Sequence, residues 1–210
     1  MHVSIFVFDG ITALDAVGPY ESIRRLPGVK VQFVAASLAP VGVEDGAFTI
    51  VPAARIDSAV RADVVIVPGG GAEGLRAAAR NETVLEWIRE SHEHSRWTAS
   101  VCTGAILLGA AGLLKGLSVA THWRAKDYLE RFGAEYSGER ITEQGKLITS
   151  AGVSAGIDMG LRICELLAGR NAAQAAQLSM EYDPAPPFDT GSPAKAPKAI
   201  LEMAQNGFGA

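Results

Sequence analysis

Apolar positions along the chain follow two alternating patterns. Short, nearly unbroken apolar runs alternate with segments whose apolar residues recur at helical spacing. "HVSIFVF" (2–8) is rich in β-branched and aromatic residues and stops at Asp9-Gly10. It predicts a first strand buried on both faces. "GPYESIRRL" predicts a helix with Pro19 at its start and Gly28 after its end. "VKVQFVAA" predicts a second strand, and "PVGVEDGAFTIVP" a hairpin around Asp45-Gly46. "ADVVIVPGGG" is an apolar run that ends in a proline and three glycines. Such runs belong to parallel sheets covered on both sides.

Helical spacing returns in "ETVLEWIRESHEH". "RWTASV" then predicts a strand, "GAILLGAAGLL" a helix and "SVAT" a short strand. "WRAKDYLERF" is amphipathic, with Trp123, Tyr128 and Phe132 near helical spacing. "ERITEQGKLITSAG" predicts two short strands around Gln144-Gly145. "GIDMGLRICELLAG" predicts a helix with Ile157, Leu161, Cys164 and Leu167 on one face. Alternating strands and helices predict a doubly wound α/β fold, a mostly parallel sheet sandwiched by helices. A single domain over residues 1–210 is expected, with a proline-rich C-terminal tail from about 183. Tyr182 and Phe188 predict that the tail is anchored to the body or to a partner subunit.

Composition narrows the class. Hydrophobic residues make up 48% and charged ones 20% of 210 residues, a globular balance. The net charge is -4 and no basic cluster is present, which argues against nucleic acid as a partner. Two cysteines do not make a disulfide framework. "MHVSIFVFDG" has no basic stretch ahead of its apolar run, unlike a secretory signal. "AILLGAAGLLKG" is broken by glycines and a lysine, so no membrane span is expected. These features predict a cytoplasmic protein with free thiols.

In such sheets ligands bind beyond the carboxyl ends of the strands. Three groups fall there: Cys102 after "WTASV", Gly69-Gly70-Gly71 after "VVIVP", and Asp15 in the loop after the first strand. "SVCTGA" resembles a nucleophile elbow, with Ser100 and Gly104 two residues to either side of Cys102. A following helix would favour the thiolate through its dipole and free amides. The alternative is a cysteine that fills the core. Cys164, mid-helix on an apolar face, is expected to be structural of that kind.

Asp15 sits among Leu14, Ala16 and Val17, where desolvation would raise its pKa and make it an acid. It could equally cap the helix near Pro19. Thr103 is either a plain first-turn residue or a donor beside the thiol. The amides of Gly70 and Thr103 are candidates to orient a polar intermediate. Of four histidines, His92 and His94 lack the further ligands of a metal site, and His122 could approach the rim. None directly follows Cys102, so Asp15 is the expected partner of the thiol.

"VIVPGGG", "SVCTGA" and the acid after the first strand resemble the ThiJ/PfpI superfamily. "LDAVGPYE", "VCTGAILLGAAGLLKG", "ATHW", "AGIDMGL" and "EYDPAPPFDTGSP" are similar to its isonitrile (isocyanide) hydratase subgroup. The resemblance covers nearly the whole chain. It implies a flavodoxin-like, class I glutamine amidotransferase-like fold and a homodimer without cofactor or metal. It also implies hydration of an organic isonitrile to an N-substituted formamide through a covalent thioimidate, with Cys102 as nucleophile, Asp15 as acid and Thr103 beside them. Thr103 stands where many superfamily members have histidine, and Asp15 where many have glutamate. Both departures favour the hydratase subgroup. The alternatives are another hydrolase or glyoxalase of the superfamily, and a non-enzymatic cysteine redox sensor.

Overall fold

In the computed structural model, which describes residues 1–206, the first apolar run forms strand β1 (His2–Phe6). Helix α1 (Ala13–Ile23) and strand β2 (Lys30–Ala35) follow. A small antiparallel hairpin, β3 (Val41–Gly42) and β4 (Thr49–Ile50), brackets Asp45-Gly46 as expected. Edge strand β5 (Ala54–Arg55) precedes β6 (Val64–Val67), which is buried at every position. The next helical stretch is two helices, α2 (Ala72–Arg80) and α3 (Glu82–His94). They divide at Asn81, whose side chain caps α3 by accepting from the Thr83 amide at 3.1 Å. Strand β7 (Trp97–Val101) runs through a 3-10 turn, Cys102–Gly104, into α4 (Ala105–Ala110). Strand β8 (Ser118–Val119), short helix α5 (Lys126–Leu129) and strand β9 (Glu135–Tyr136) come next. Strands β10 (Ile141–Gln144) and β11 (Leu147–Ser150) then lead to α6 (Ala155–Ala168) and α7 (Arg170–Ser179).

The main sheet has the order β10-β11-β7-β6-β1-β2-β5. Only the β10–β11 pair is antiparallel, so the doubly wound, mostly parallel sheet is as the sequence predicts. Helices α1, α6 and α7 pack together, and α2, α3 and α4 form a second group. Register sets up the rim. Val67 pairs with Ser100, and Ser150 with Val101, so β6, β7 and β11 end at one level. The residues just beyond them are thereby brought side by side.

Several local expectations need correction. Pro19 does not start α1 but lies inside it, because the helix begins six residues earlier, at Ala13. As a proline it cannot donate to the Asp15 carbonyl four residues back. It is tolerated because it packs on the glycine-lined face of α6, where a Cβ on Gly156 would lie 3.2 Å from Pro19 Cδ. The buried face of α6 is Gly156, Met159, Gly160, Ile163 and Cys164, not the stripe through Ile157, Leu161 and Leu167. Close helix approach through glycine, which apolar periodicity does not register, selects that face. A Cβ on Gly160 would come within 2.8 Å of Ser22 Cβ on α1. Helix α7, with its alanine- and glutamine-rich sequence, has no counterpart among the expected elements. Strand β8 exists but pairs with β9 outside the main sheet.

Residues Met1–Met180 form one compact unit and the chain from Glu181 another. The second contains α8 (Lys198–Gln205) and a 2.6 Å ion pair between Lys195 and Asp189. Phe188 in it is exposed. No helix among the described residues is long and apolar enough to cross a membrane.

Candidate active site

Cys102 is the residue at which β7 turns. Its φ is +58°, a left-handed conformation that costs a non-glycine residue about 1–3 kcal/mol. The surroundings impose it. Its amide donates to Ala151 O at 3.0 Å, just beyond β11, and its carbonyl accepts from the buried Thr121 hydroxyl at 2.8 Å. The chain then passes so close to β6 that a Cβ on Gly104 would lie 2.0 Å from the Val67 carbonyl oxygen. Only glycine fits there, which explains Gly104 in "SVCTGA". Cys102 is 5% exposed, and it sits on the wall of a cavity of about 680 Å³.

Asp15 is not in a loop. It lies in the first turn of α1, its amide donating to Thr12 O at 3.1 Å, and Thr12 occupies the N-cap position. The capping role for Asp15 is therefore excluded. Its carboxyl is fully buried. One oxygen accepts from the Gly69 amide at 3.0 Å, while the other has no hydrogen-bond partner. Burial pushes its pKa up from 3.8 to about 7, against the lowering effects of the Gly69 amide and the neighbouring Cys102 thiol. The charge of Glu44 adds a smaller upward push.

The thiol does not behave as the helix-dipole argument predicts. Burial pushes Cys102 up to about 12, and the Asp15 charge reinforces the shift. The amides of Val153 and Thr103 face the sulfur and oppose it, but they do not prevail. A six-residue helix behind a 3-10 turn offers too little to offset desolvation and an adjacent carboxylate. At rest the pair is a neutral thiol beside a carboxyl that titrates near neutrality.

Thr103 and the glycine loop close the floor. The Gly70 amide donates to Thr103 Oγ1 at 3.0 Å. Gly70 thus lines the cavity, but its amide is engaged, and the expectation that it would be free to orient an intermediate is corrected. The Gly71 amide is likewise taken, by Gly10 O at 2.9 Å. Gly69 permits the whole arrangement, since a Cβ there would lie 2.3 Å from Thr103 Oγ1 and 3.0 Å from Asp15 Oδ2.

His122 also lines the cavity, half-buried and stacked on Trp123 at 5.7 Å. Its Nδ1 accepts from the Arg124 amide at 3.3 Å, which places the proton of the neutral ring on Nε2. Burial, helped by Arg124, holds its pKa below the usual histidine value. Cys164 lies elsewhere, fully buried on α6, with its thiol donating to Ser22 O at 3.5 Å. Among the described residues no group of three or more His, Cys, Asp or Glu is placed to hold a metal ion.

The sequence reading missed the mouth of the cavity. Leu75, Ala79, Ile106, Ala125 and Val153 give it an apolar stretch of wall. Arg76, Arg80, Arg124 and Arg131 line it too, with Glu44. Tyr128 is a wall residue and 47% exposed, not part of a buried helical face. Glu44 comes from the small hairpin, where Thr12 Oγ1 donates to its carboxylate at 2.8 Å. The i, i+4 spacing of Arg76 and Arg80 was the available signal, because it puts both on one face of α2.

Residues 1–166 match the model of the DJ-1/PfpI family. The chain is 38% identical over 205 residues to an isonitrile hydratase from Pseudomonas putida, covering 98% of this chain and 89% of that protein. A crystal structure of a ThiJ/PfpI family protein from Pseudomonas syringae is 38% identical with a TM-score of 0.93, covering 98% of this chain and 84% of that one. Drosophila melanogaster DJ-1beta shares the fold, with a TM-score of 0.79 at 22% identity over 87% of this chain and 98% of its own.

Proposed function

The chain belongs to the DJ-1/PfpI family, and we propose that it hydrates organic isonitriles to N-substituted formamides, with Cys102 as nucleophile and Asp15 as proton carrier. One observation carries the reading. A strained, cavity-facing thiol lies against a buried carboxyl whose pKa is raised to about 7. Such a carboxyl takes a proton and returns it with little cost at neutral pH.

The chemistry follows from that pair. The terminal carbon of an isonitrile, R–N≡C, accepts a nucleophile and then a proton. The thiol proton passes to Asp15 as sulfur attacks the carbon. Asp15 then protonates that carbon, giving the thioimidate S–CH=N–R. Water adds to the same carbon, and the proton it loses passes through the Asp15 carboxylate to the nitrogen, giving S–CH(OH)–NH–R, whose hydroxyl proton is released in the collapse that follows. The carbon–sulfur bond breaks, the formamide R–NH–CHO leaves, and the thiol recovers its proton. The sum is one isonitrile and one water to one formamide. The Val153 and Thr103 amides, which face the sulfur, stabilise it while it carries charge. The Thr103 hydroxyl, tied to Gly70, orients groups beside the reacting carbon. No step calls on a metal or cofactor. A homodimer in the cytoplasm is part of the same reading.

The redox-sensor alternative requires an accessible, readily ionised thiol. Cys102 is nearly buried and its pKa is raised, which weighs against it. The test is to incubate the protein with simple alkyl and aryl isonitriles, follow formamide by mass spectrometry, and quench rapidly for an adduct on Cys102. A transient adduct followed by many equivalents of formamide is expected. Absence of both across the series, with reversible oxidation of Cys102 intact, would transfer the assignment to the sensor.

A further inference from the structure

The cavity mouth bears more positive charge than a neutral isonitrile would need. Four arginines line it against a single carboxylate, Glu44, in a protein whose net charge is -4. Arg76 and Arg80 lie on α2. Arg124 and Arg131 come from the segment around α5, where the Arg131 guanidinium lies 4.9 Å from the centre of the Tyr128 ring. Elsewhere the arginines are often paired: Arg24, Arg25, Arg55, Arg89, Arg140 and Arg162 each meet a carboxylate. Among the described residues, Arg76, Arg80 and Arg131 meet none, and Glu44 is engaged by Thr12. Unpaired guanidinium groups gathered at one opening raise the local concentration of anions and pair with carboxylates in bidentate fashion.

We propose that the substrate class is isonitriles that carry a carboxylate on the R group, bound with the isonitrile carbon at Cys102 and the carboxylate at the arginine-lined mouth. The proposal rests on the hydration reading above and specifies its substrate. Polarity fixes the direction of binding. Asp15 lies buried against the Cys102 thiol, where its carboxylate disfavours a second anion, whereas the mouth attracts one. Leu75, Ala79 and Ile106 leave an apolar stretch for the carbon chain that joins the two ends.

The experiment compares two substrates with one skeleton, an ω-isocyano carboxylate and its methyl ester, by kcat and KM. A preference for the acid of at least about tenfold in kcat/KM at low ionic strength is expected, carried mainly by KM. It should shrink as salt is raised, since exposed charges are screened. Arg76→Gln with Arg80→Gln, and separately Arg131→Gln, should each lower the acid-to-ester ratio by about three- to tenfold. Turnover of both substrates without preference overturns this proposal and leaves hydration standing. Turnover of neither overturns hydration itself. A preference untouched by all the arginine variants overturns the assignment to the mouth.

Discussion

The two cysteines separate burial from reactivity. Both are free and buried, and burial pushes both thiols up to about 12. By acidity alone they cannot be told apart. Cys164 sits within a regular helix, away from the cavity, and donates to a backbone carbonyl. Cys102 has a left-handed backbone, two amides facing its sulfur, a cavity beside it and a carboxyl to take its proton. On the proposed reading, what makes Cys102 the nucleophile is what surrounds the thiol and not how readily the resting thiol ionises. The cost of the left-handed turn at Cys102 is a cost that Cys164 does not bear.

The largest break in the comparison is Cys102→Ala. It should abolish formamide production, with circular dichroism showing an intact fold, because among the described residues Cys102 is the one thiol that lines the cavity. Residual turnover within about tenfold of wild type would remove the covalent route.

Asp15→Asn comes next, and it acts on activity and stability with opposite signs. The amide cannot carry a proton between sulfur and carbon, so kcat/KM should fall by about 10²–10⁴-fold. In the wild type, kcat/KM should rise with pH through about 7, as the carboxylate that accepts the thiol proton becomes available. Stability runs the other way. Between an unfolded pKa of 3.8 and a folded one of about 7, the native state binds more protons than the unfolded chain. Wild-type stability therefore falls as pH rises through that window, by at most about 4 kcal/mol, and levels off above it. The variant should lack that slope in denaturant titrations run from pH 4 to 8. An unchanged slope would show that Asp15 is not the buried acid that titrates.

How far this site could be read from the sequence depends on how local its causes are. The sheet, the glycine loop and the cysteine turn were legible because proline, glycine and apolar runs act over a few residues. Asp15 was placed near the rim correctly but in a loop, because Pro19 resembled a helix start. Its packing against glycines of α6, which allows a proline inside α1, is a contact across more than a hundred residues. The arginine-lined mouth was only half legible for the same reason. Arg76 and Arg80 look like an ordinary solvated helix face until the fold sets residues 122–131 opposite them. The raised thiol pKa also escaped, since a local helix-dipole argument takes no account of burial or of a carboxylate brought in from another element.

Thr103→Val keeps the side-chain shape and removes the hydroxyl. The Gly70 amide then loses its acceptor, and the reacting carbon loses a polar neighbour. A fall in kcat of about tenfold is expected, with Cys102 still alkylated by iodoacetamide at near the wild-type rate. A wild-type kcat would reduce Thr103 to a structural residue of the turn.

The smallest effect belongs to the other thiol. Cys164→Ser replaces sulfur by a smaller hydroxyl in a fully buried site on α6. The hydroxyl can still donate to Ser22 O, so no buried donor is stranded, but its shorter reach stretches that bond and leaves a small void. Together these should cost about 1 kcal/mol and lower Tm by roughly 2–4 °C. Activity should stay within about twofold of wild type, because Cys164 lies nine residues beyond the start of α6, about 13 Å along its axis from the end nearest Cys102. Isonitrile turnover measured beside a thermal melt reads both quantities on one preparation. Should turnover fall as far as it does in Cys102→Ala while Tm barely moves, the two thiols would share a role, and surroundings would not be what distinguishes them.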